Sequence, residues 1–267
     1  TGGEPLLRRD LPELVTMLRK VEGIKDIALT TNAVLLSEQA EALRKSGLDR
    51  VNISLDSLLK ERFEQITRRD ALERVLLGIE QAARIFPGPL KINAVLMRGL
   101  NDAETPAFAE LARKHGHTIR FIEYMPLDAD ESWSRSSLVT GAEIRERIDR
   151  HLDNGARLIE DPARDQRAPA ADYIFSDGAP GKIGFINSVS EPFCENCNRI
   201  RITADGKLRT CLFSQEETDI ASLLRGGASD EKIAAAVQAA VHDKEPGHRI
   251  NEPDFVRANR SMSQIGG

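Results

Sequence analysis

Apolar positions along the first half of the chain switch between two periods. They recur at helical spacing over residues 10–20, 37–47, 70–85 and 102–115, and short β-branched runs fall between these stretches at 25–31, 50–56, 90–96 and 118–124. The punctuation agrees. Asp10 and Pro12 open the first helix, Ser37 caps the second, which ends at Gly47, and Asp70 caps the third. Pro87-Gly88-Pro89 turns the chain into the strand that follows. Strand centres near Ile27, Ile53, Ile92 and Ile119, each separated from the next by a helix, predict βα units and a parallel sheet, either a barrel or a doubly wound sheet.

Strands of a parallel sheet are normally apolar on both faces. These are not. Strict alternation puts Asn52, Ser54 and Asp56 on one face of their strand, and Lys91 and Asn93 on one face of theirs. Thr30 and Asn32 end another strand, and Arg120 lies in the fourth. Each polar side chain is costly in a packed core unless it meets a neighbour or a buried water. A hollow barrel with a polar lumen accounts for the whole set, and polar groups near the carboxyl ends of barrel strands occupy the usual catalytic positions.

Beyond residue 124 the pattern breaks. Residues 128–138 are polar and serine-rich around the lone Trp133. A helix is predicted over 142–152. Short β-like pieces follow at 173–176, 183–187, 200–203 and 207–213, separated by Gly, Pro and Asp, with Ala204-Asp205-Gly206 as a hairpin turn. Two helices are expected near 218–224 and 230–241, before a small polar tail at 259–267.

Composition narrows the function. With 267 residues, 40% hydrophobic and 30% charged, the chain reads as an ordinary soluble protein with material for one large domain or two modest ones. A net charge of -5 argues against bulk binding to nucleic acid or a membrane surface, so any anionic ligand must meet a local basic patch. There is no apolar run of about 18 residues, and no signal peptide is expected. Three thiols with no even framework fit a reducing, cytoplasmic location.

Those three cysteines carry the sharpest signal. They are spaced Cys194-x2-Cys197-x13-Cys211, which is a metal-ligand spacing. Three thiolates are one short of a closed tetrahedral site, so the metal is expected to keep an open position. Arg199, Arg201, Lys207 and Arg209 flank it and suit an anionic ligand. If the strand continues from Cys197, then Cys197, Arg199, Arg201 and Thr203 share one face while Ile200 and Ile202 bury the other. Structural zinc on a hairpin with a solvated arginine face is the plainer reading of the same residues. His115 and His117 read as solvent-facing residues at a helix end, and Trp133 as packing.

Several runs are recognisable together. Thr1-Gly-Gly-Glu-Pro5 resembles the motif with which radical S-adenosylmethionine (SAM) enzymes hold the methionine amino group. Thr-Thr-Asn at 30–32, Val-Asn-Ile-Ser-Leu-Asp at 51–56, Lys-Ile-Asn-Ala-Val at 91–95, Arg-Gly-Leu-Asn-Asp at 98–102 and Arg-Phe-Ile-Glu-Tyr-Met-Pro at 120–126 resemble the MoaA family, the GTP 3',8-cyclases of molybdenum cofactor biosynthesis. So do Cys-Glu-Asn-Cys-Asn-Arg-Ile-Arg-Ile-Thr-Ala-Asp-Gly-Lys-Leu at 194–208 and the closing Met-Ser-Gln-Ile-Gly-Gly.

The resemblance implies an α/β fold: an incomplete (βα)6-type radical SAM barrel over 1–152, and a C-terminal α+β domain over 153–267 carrying an auxiliary iron–sulfur cluster and the GTP-binding residues. It implies that Gly2, Gly3, Glu4, Ser54 and Met125 bind SAM, that Thr30, Lys91, Arg199 and Arg201 bind GTP, and that Arg120 lines the same cavity. Cys194, Cys197 and Cys211 would hold a [4Fe-4S] cluster whose open iron meets the guanine edge, and Gly266 and Gly267 would reach into the active site. The implied chemistry is removal of the ribose 3'-hydrogen of GTP by a 5'-deoxyadenosyl radical, then closure of the carbon radical onto C8 of guanine. A homodimer and a downstream cyclic pyranopterin monophosphate synthase are the implied partners. The family's Cys-x3-Cys-x2-Cys loop, which holds a second [4Fe-4S] cluster, is not among these residues. The expectation is therefore a chain that starts inside the fold, exposes an open barrel edge and does not turn over alone. Two rivals share some of these features. One is a radical SAM peptide-modifying maturase, against which the Asn-Arg-Ile-Arg run and the Gly-Gly end argue. The other is a non-catalytic zinc-ribbon interaction module.

Overall fold

The structure is a computed structural model that describes residues 1–129 and 132–265. The chain divides into two compact units. The larger comprises residues 4–124 and 135–187, and so takes in chain on both sides of the division at 152. The smaller comprises residues 1–3, 125–134 and 188–267.

In chain order the larger unit runs α1 (Leu11–Arg19), β1 (Ala28–Thr31), α2 (Leu36–Lys45), β2 (Arg50–Ser54), α3 (Lys60–Thr67), α4 (Leu72–Ile85), β3 (Lys91–Leu96), α5 (Thr105–His115), β4 (Thr118–Glu123), α6 (Gly141–His151), β5 (Leu158–Glu160), β6 (Ala171–Phe175) and β7 (Lys182–Ile186). Its seven strands form one sheet in the order β1-β2-β3-β4-β7-β6-β5. β1 to β4 and β7 pair in parallel, and β6 and β5 close the far side antiparallel. The mostly parallel α/β sheet predicted from the alternation is therefore present.

One face of this sheet is the core. Val51, Ile53, Ile92, Ala94, Ile119, Phe121 and Ile183 are buried against Leu36, Ala40 and Leu43 of α2, Val75 and Ile79 of α4, Phe108 and Ala112 of α5, and Ile144 and Ile148 of α6. The helices supply apolar residues three and four apart, which places them on one stripe. The other face carries the polar residues. Arg50, Asn52, Ser54, Lys91, Asn93 and Arg120 are all half-buried there.

The element ends correct the sequence reading in places. Ser37 lies inside the first turn of α2, whose N-cap is Leu35 with no side-chain bond. Asp70 stands just outside α4, which is capped at Ala71, and pairs instead with Lys60 at 3.2 Å. Asp10 does occupy the N-cap of α1, but in a left-handed conformation from which its side chain caps nothing. α3 escaped prediction because only Phe63 of its residues is buried, too little to print an apolar stripe. His117 is buried at 6% exposure, stacked on His115 with ring centroids 5.7 Å apart, and does not face solvent as expected.

The smaller unit holds β8 (Arg201–Ile202), β9 (Lys207–Arg209), β10 (Thr218–Asp219), α7 (Ile220–Arg225), α8 (Asp230–His242) and α9 (Met262–Ile265). The three strands pair antiparallel in the order β10-β9-β8. The predicted hairpin turn is there, with Gly206 at φ +83° and Thr203 Oγ1 accepting the Lys207 N–H at 2.9 Å. Residues 218–219 are strand rather than helix, because Asp219 caps α7 by accepting the Ser222 N–H at 2.9 Å. The opening and closing segments of this unit meet each other. The Gly3 N–H donates to the Ser263 carbonyl at 2.7 Å, and the Met262 N–H to that of Leu127 at 2.8 Å. Gly2, at φ +89°, lies so close to the Gln264 carbonyl that a side chain there would collide with backbone. Among the described residues no helix is long and apolar enough to cross a membrane.

Candidate active site

In the larger unit the polar face is ordered by strand register. Thr30, Asn52, Lys91 and Thr118 are successive partners across β1 to β4. Two residues further on, Ser54, Asn93, Arg120 and Gly184 are partners across β2, β3, β4 and β7, and Asp172 of β6 faces Gly184. Register partners present their side chains on one face. Burial lowers the pKa of Lys91, and the Arg120 and Arg50 charges add to this while Asp172 opposes it. Burial also lowers that of Arg120, again against Asp172. The face is cationic at its centre, with one carboxylate set against it. One step above, burial pushes the Asp56 carboxyl up to about 6 even though it accepts the Val95 N–H at 2.8 Å. The Asn101 amide then ties the carbonyls of Asp56 and Val95 at 2.7 and 2.8 Å, fixing the carboxyl ends of β2 and β3.

Glu4 is spent within the same unit. Its carboxylate accepts from Thr31 Oγ1 at 2.6 Å, from the Asn32 N–H at 2.8 Å and from the Leu6 N–H at 3.0 Å. Its observed role is to fix the end of β1. Thr30, next to that end, is exposed and accepts from Asn52 Nδ2 at 3.3 Å.

In the smaller unit Cys194, Cys197 and Cys211 are all free and half-buried. Cys194–Asn196 is one 3-10 turn, closed by the Cys197 N–H on the Cys194 carbonyl at 3.0 Å. The expected strand from Cys197 is therefore absent, and Ile200 and Ile202, at 45% and 53% exposure, bury no face. The turn wins because a C-x-x-C bite needs curvature that an extended strand lacks. Arg199 still reaches a thiol. Arg199 Nη2 donates to Cys197 Sγ at 3.3 Å, and Lys244 Nζ lies 3.5 Å from the same sulfur while donating to the Cys197 carbonyl at 2.7 Å. Burial raises the Cys197 pKa, but the Arg199 N–H and guanidinium and the Lys244 charge outweigh it and bring it down to about 7. Burial raises that of Cys211, with the charges of Cys194 and Cys197 adding to the rise. Cys211 therefore lies within electrostatic range of the other two thiols.

Among the described residues no three His, Cys, Asp or Glu side chains gather as they do around a single ion. A four-iron cube is gripped by thiolates spread around it rather than meeting at a point. Three half-buried thiols, one of them backed by two cations, fit such a group, whose net charge with its thiolates is negative. Gly247 backs Cys194 closely, since an added Cβ would stand 3.2 Å from the cysteine Cβ. A cleft of about 320 Å³ in this unit is lined by Asp128, Arg257 and Arg260 but by none of the cysteines.

Comparison with known proteins gives two family matches along the chain. Residues 1–112 match the radical SAM superfamily, and residues 117–250 match the family described as Molybdenum Cofactor Synthesis C. The whole chain is 45% identical to a GTP 3',8-cyclase of Paenarthrobacter nicotinovorans, 78% of whose length it covers. It is 46% identical to one of Mycolicibacterium smegmatis and 43% identical to one of Streptomyces coelicolor, covering 74% and 77% of them. This chain belongs to the GTP 3',8-cyclase family. Membership of the radical SAM superfamily brings with it SAM and a [4Fe-4S] cluster.

For a GTP 3',8-cyclase family member, the structure gathers the sequence-predicted residues in two groups. Thr30, Ser54, Lys91 and Arg120 lie on the polar face of the larger unit, and Gly2, Gly3, Met125, Arg199, Arg201 and the three cysteines lie in the smaller. Gly266 and Gly267 lie outside the described residues. Two of the flanking cations are committed elsewhere: Lys207 pairs with Asp219, and Arg209 with Glu217. Sequence reasoning missed Lys244 and Asp172. For Asp172 the signal was an acidic residue beginning the run Asp-Tyr-Ile-Phe at 172–175. For Lys244, 47 residues beyond Cys197, the sequence carried none.

Proposed function

We propose that this chain performs the radical SAM cyclisation of GTP to (8S)-3',8-cyclo-7,8-dihydroguanosine 5'-triphosphate, the first step of molybdenum cofactor biosynthesis. The observation that carries it is identity of 43–46% across the full chain to relatives named for that reaction. The residues present suit the task. Lys91 is a partly desolvated ammonium for phosphate oxygens, and Thr30 offers a hydroxyl two strands along the same register row. Arg199 and Arg201 offer forked donors for phosphate or purine acceptors. Gly2, Gly3, Ser54 and Met125 hold SAM, with Glu4 fixing the loop from which the first two depart. Arg120 lines the reacting cavity.

Cys194, Cys197 and Cys211 hold the auxiliary [4Fe-4S] cluster. The superfamily's cofactors, when bound, supply a hydrogen-abstracting radical made from SAM. The chain's own work is to hold the ribose and base in a reactive geometry and to keep water out. The partners that go with this reading are GTP, a second copy of the chain and the enzyme that consumes the cyclised nucleotide.

The test is anaerobic reconstitution with iron and sulfide, followed by a spectrum with and without GTP. An iron–sulfur spectrum that shifts on adding GTP, and about a tenfold or greater loss of GTP affinity in Lys91→Ala, is the expected outcome. Zinc in place of iron and sulfide would favour an interaction module. A cluster that responds to peptides and not to GTP would favour a maturase.

A further inference from the structure

The register row Ser54–Asn93–Arg120–Gly184–Asp172 holds three polar atoms that are buried and make no hydrogen bond: Asn93 Oδ1, Arg120 Nε and Asp172 Oδ1. Buried polar groups are nearly always paired, so three orphans in one row call for an explanation. Packing on the far side of the sheet is not it, because Ile53, Ile92, Ile119 and Ile183 fill that face completely. The orphans lie on the polar face, on side chains that are each half-buried.

Gly184 makes the arrangement possible. A Cβ added there would stand 2.6 Å from Asp172 Oδ1 and 3.1 Å from Arg120 Cγ. The absent side chain leaves room for the arginine and the carboxylate to lean over the same spot from opposite strands. The row then reads acceptor, donor, acceptor: an amide oxygen, a guanidinium N–H and a carboxylate oxygen.

Charge narrows what can satisfy it. A phosphate would meet Arg120 but be repelled by Asp172. An ammonium would meet Asp172 but be repelled by Arg120 and Lys91. A neutral group with two donors and an acceptor meets all three, and a vicinal diol is such a group. Lys91 lies two residues before Asn93 on the same face, about 6.6 Å along the strand, as a phosphate would need.

We propose that Asn93, Arg120 and Asp172 form a subsite that reads the ribose hydroxyls of the nucleotide substrate. Asn93 and Asp172 accept the two O–H groups, and the Arg120 N–H donates to a hydroxyl oxygen. The subsite makes the chain selective for ribonucleotides and fixes the rotation of the sugar. This inference rests on the reading of GTP as substrate.

Equilibrium binding of GTP, 2'-deoxy-GTP and 3'-deoxy-GTP tests it without turnover. The unaltered chain is expected to prefer GTP over each deoxy analogue by about tenfold or more, because a site built for hydroxyls leaves its own groups unpaired without them. Asp172→Ala and Asn93→Ala, on separate strands, should each weaken GTP several-fold, leave the deoxy analogues little changed and pull the preference toward one. Lys91→Ala should weaken all three nucleotides alike and keep the preference. If either strand's variant fails to fold, the other still decides. Tight GTP binding with no preference over the deoxy analogues, or a preference that survives both substitutions, overturns the subsite while leaving the substrate assignment standing. Loss of SAM affinity without loss of GTP affinity in these variants overturns it too. Failure of the unaltered chain to bind GTP overturns both.

Discussion

Glu217 carries two arginines. Arg209 is fully buried, and its guanidinium meets the Glu217 carboxylate and the carbonyls of Leu212 and Ser214. Arg260 reaches the same carboxylate at 2.6 Å and Asp205 at 2.8 Å. Glu217→Ala leaves a buried guanidinium without its counter-charge and is expected to cost about 3–5 kcal/mol in urea unfolding. Arg209→Met, which removes charge and keeps volume, should cost much less. Such pairs explain why part of the site was illegible. Lys207 and Arg209 looked available beside the cysteines because their partners, Asp219 and Glu217, stand twelve and eight residues on and meet them only once β9 and β10 pair. Lys91, Asn93 and Arg120 were legible because each breaks the apolar habit of a parallel strand. Asp172 was less so, because β6 runs antiparallel, where polar residues are unremarkable.

Among the elements, α6 is the one most clearly held by its own sequence. Thr140 Oγ1 accepts the Glu143 N–H at 3.3 Å, and Glu143 Oε2 accepts the Thr140 N–H at 2.9 Å, a reciprocal cap. Thr140→Ala should lower the stability of the larger unit by about 1 kcal/mol, seen as a shift in the urea midpoint with the slope unchanged. The Thr-x-x-Glu signal was there to be read. The strands β1 to β4 were legible for the reason that α3 was not: each strand buries a full alternate set, while α3 buries one residue. β8 failed to extend back to Cys197 because the turn at Cys194–Asn196 takes those residues first.

At the scale of the whole molecule, His117 and the paired carboxylates each take stability away on the acid side, in two stages, against Asp56, whose raised value of about 6 adds stability as pH falls through it. Burial lowers the His117 pKa, and His115 beside it pushes the same way. The unfolded chain then binds a proton near pH 6.5 that the folded chain refuses, so the folded state loses ground as pH drops below about 6.5. The second stage belongs to carboxylates. The Ile27 N–H, followed by Arg19, holds Asp49 below its usual range, and Lys182 and the Ala163 N–H do the same for Asp161. Their contribution is present above about pH 4 and is lost as pH falls through their lowered values. Urea unfolding from pH 8 to pH 3 checks both stages, and His117→Gln should reduce the loss below about pH 6.5, to which buried His248 also contributes, and spare the second.

The meeting of Gly2 and Gly3 with Ser263 and Gln264 has a consequence for biosynthesis. On a ribosome adding about 5–20 residues each second, these glycines emerge roughly ten to fifty seconds before the residues that receive them. The larger unit can begin pairing its early strands in that interval. The smaller unit has no such option: Gly2 and Gly3 must stay unclaimed until residues 263 and 264 have left the ribosome, so this unit closes late relative to the larger one.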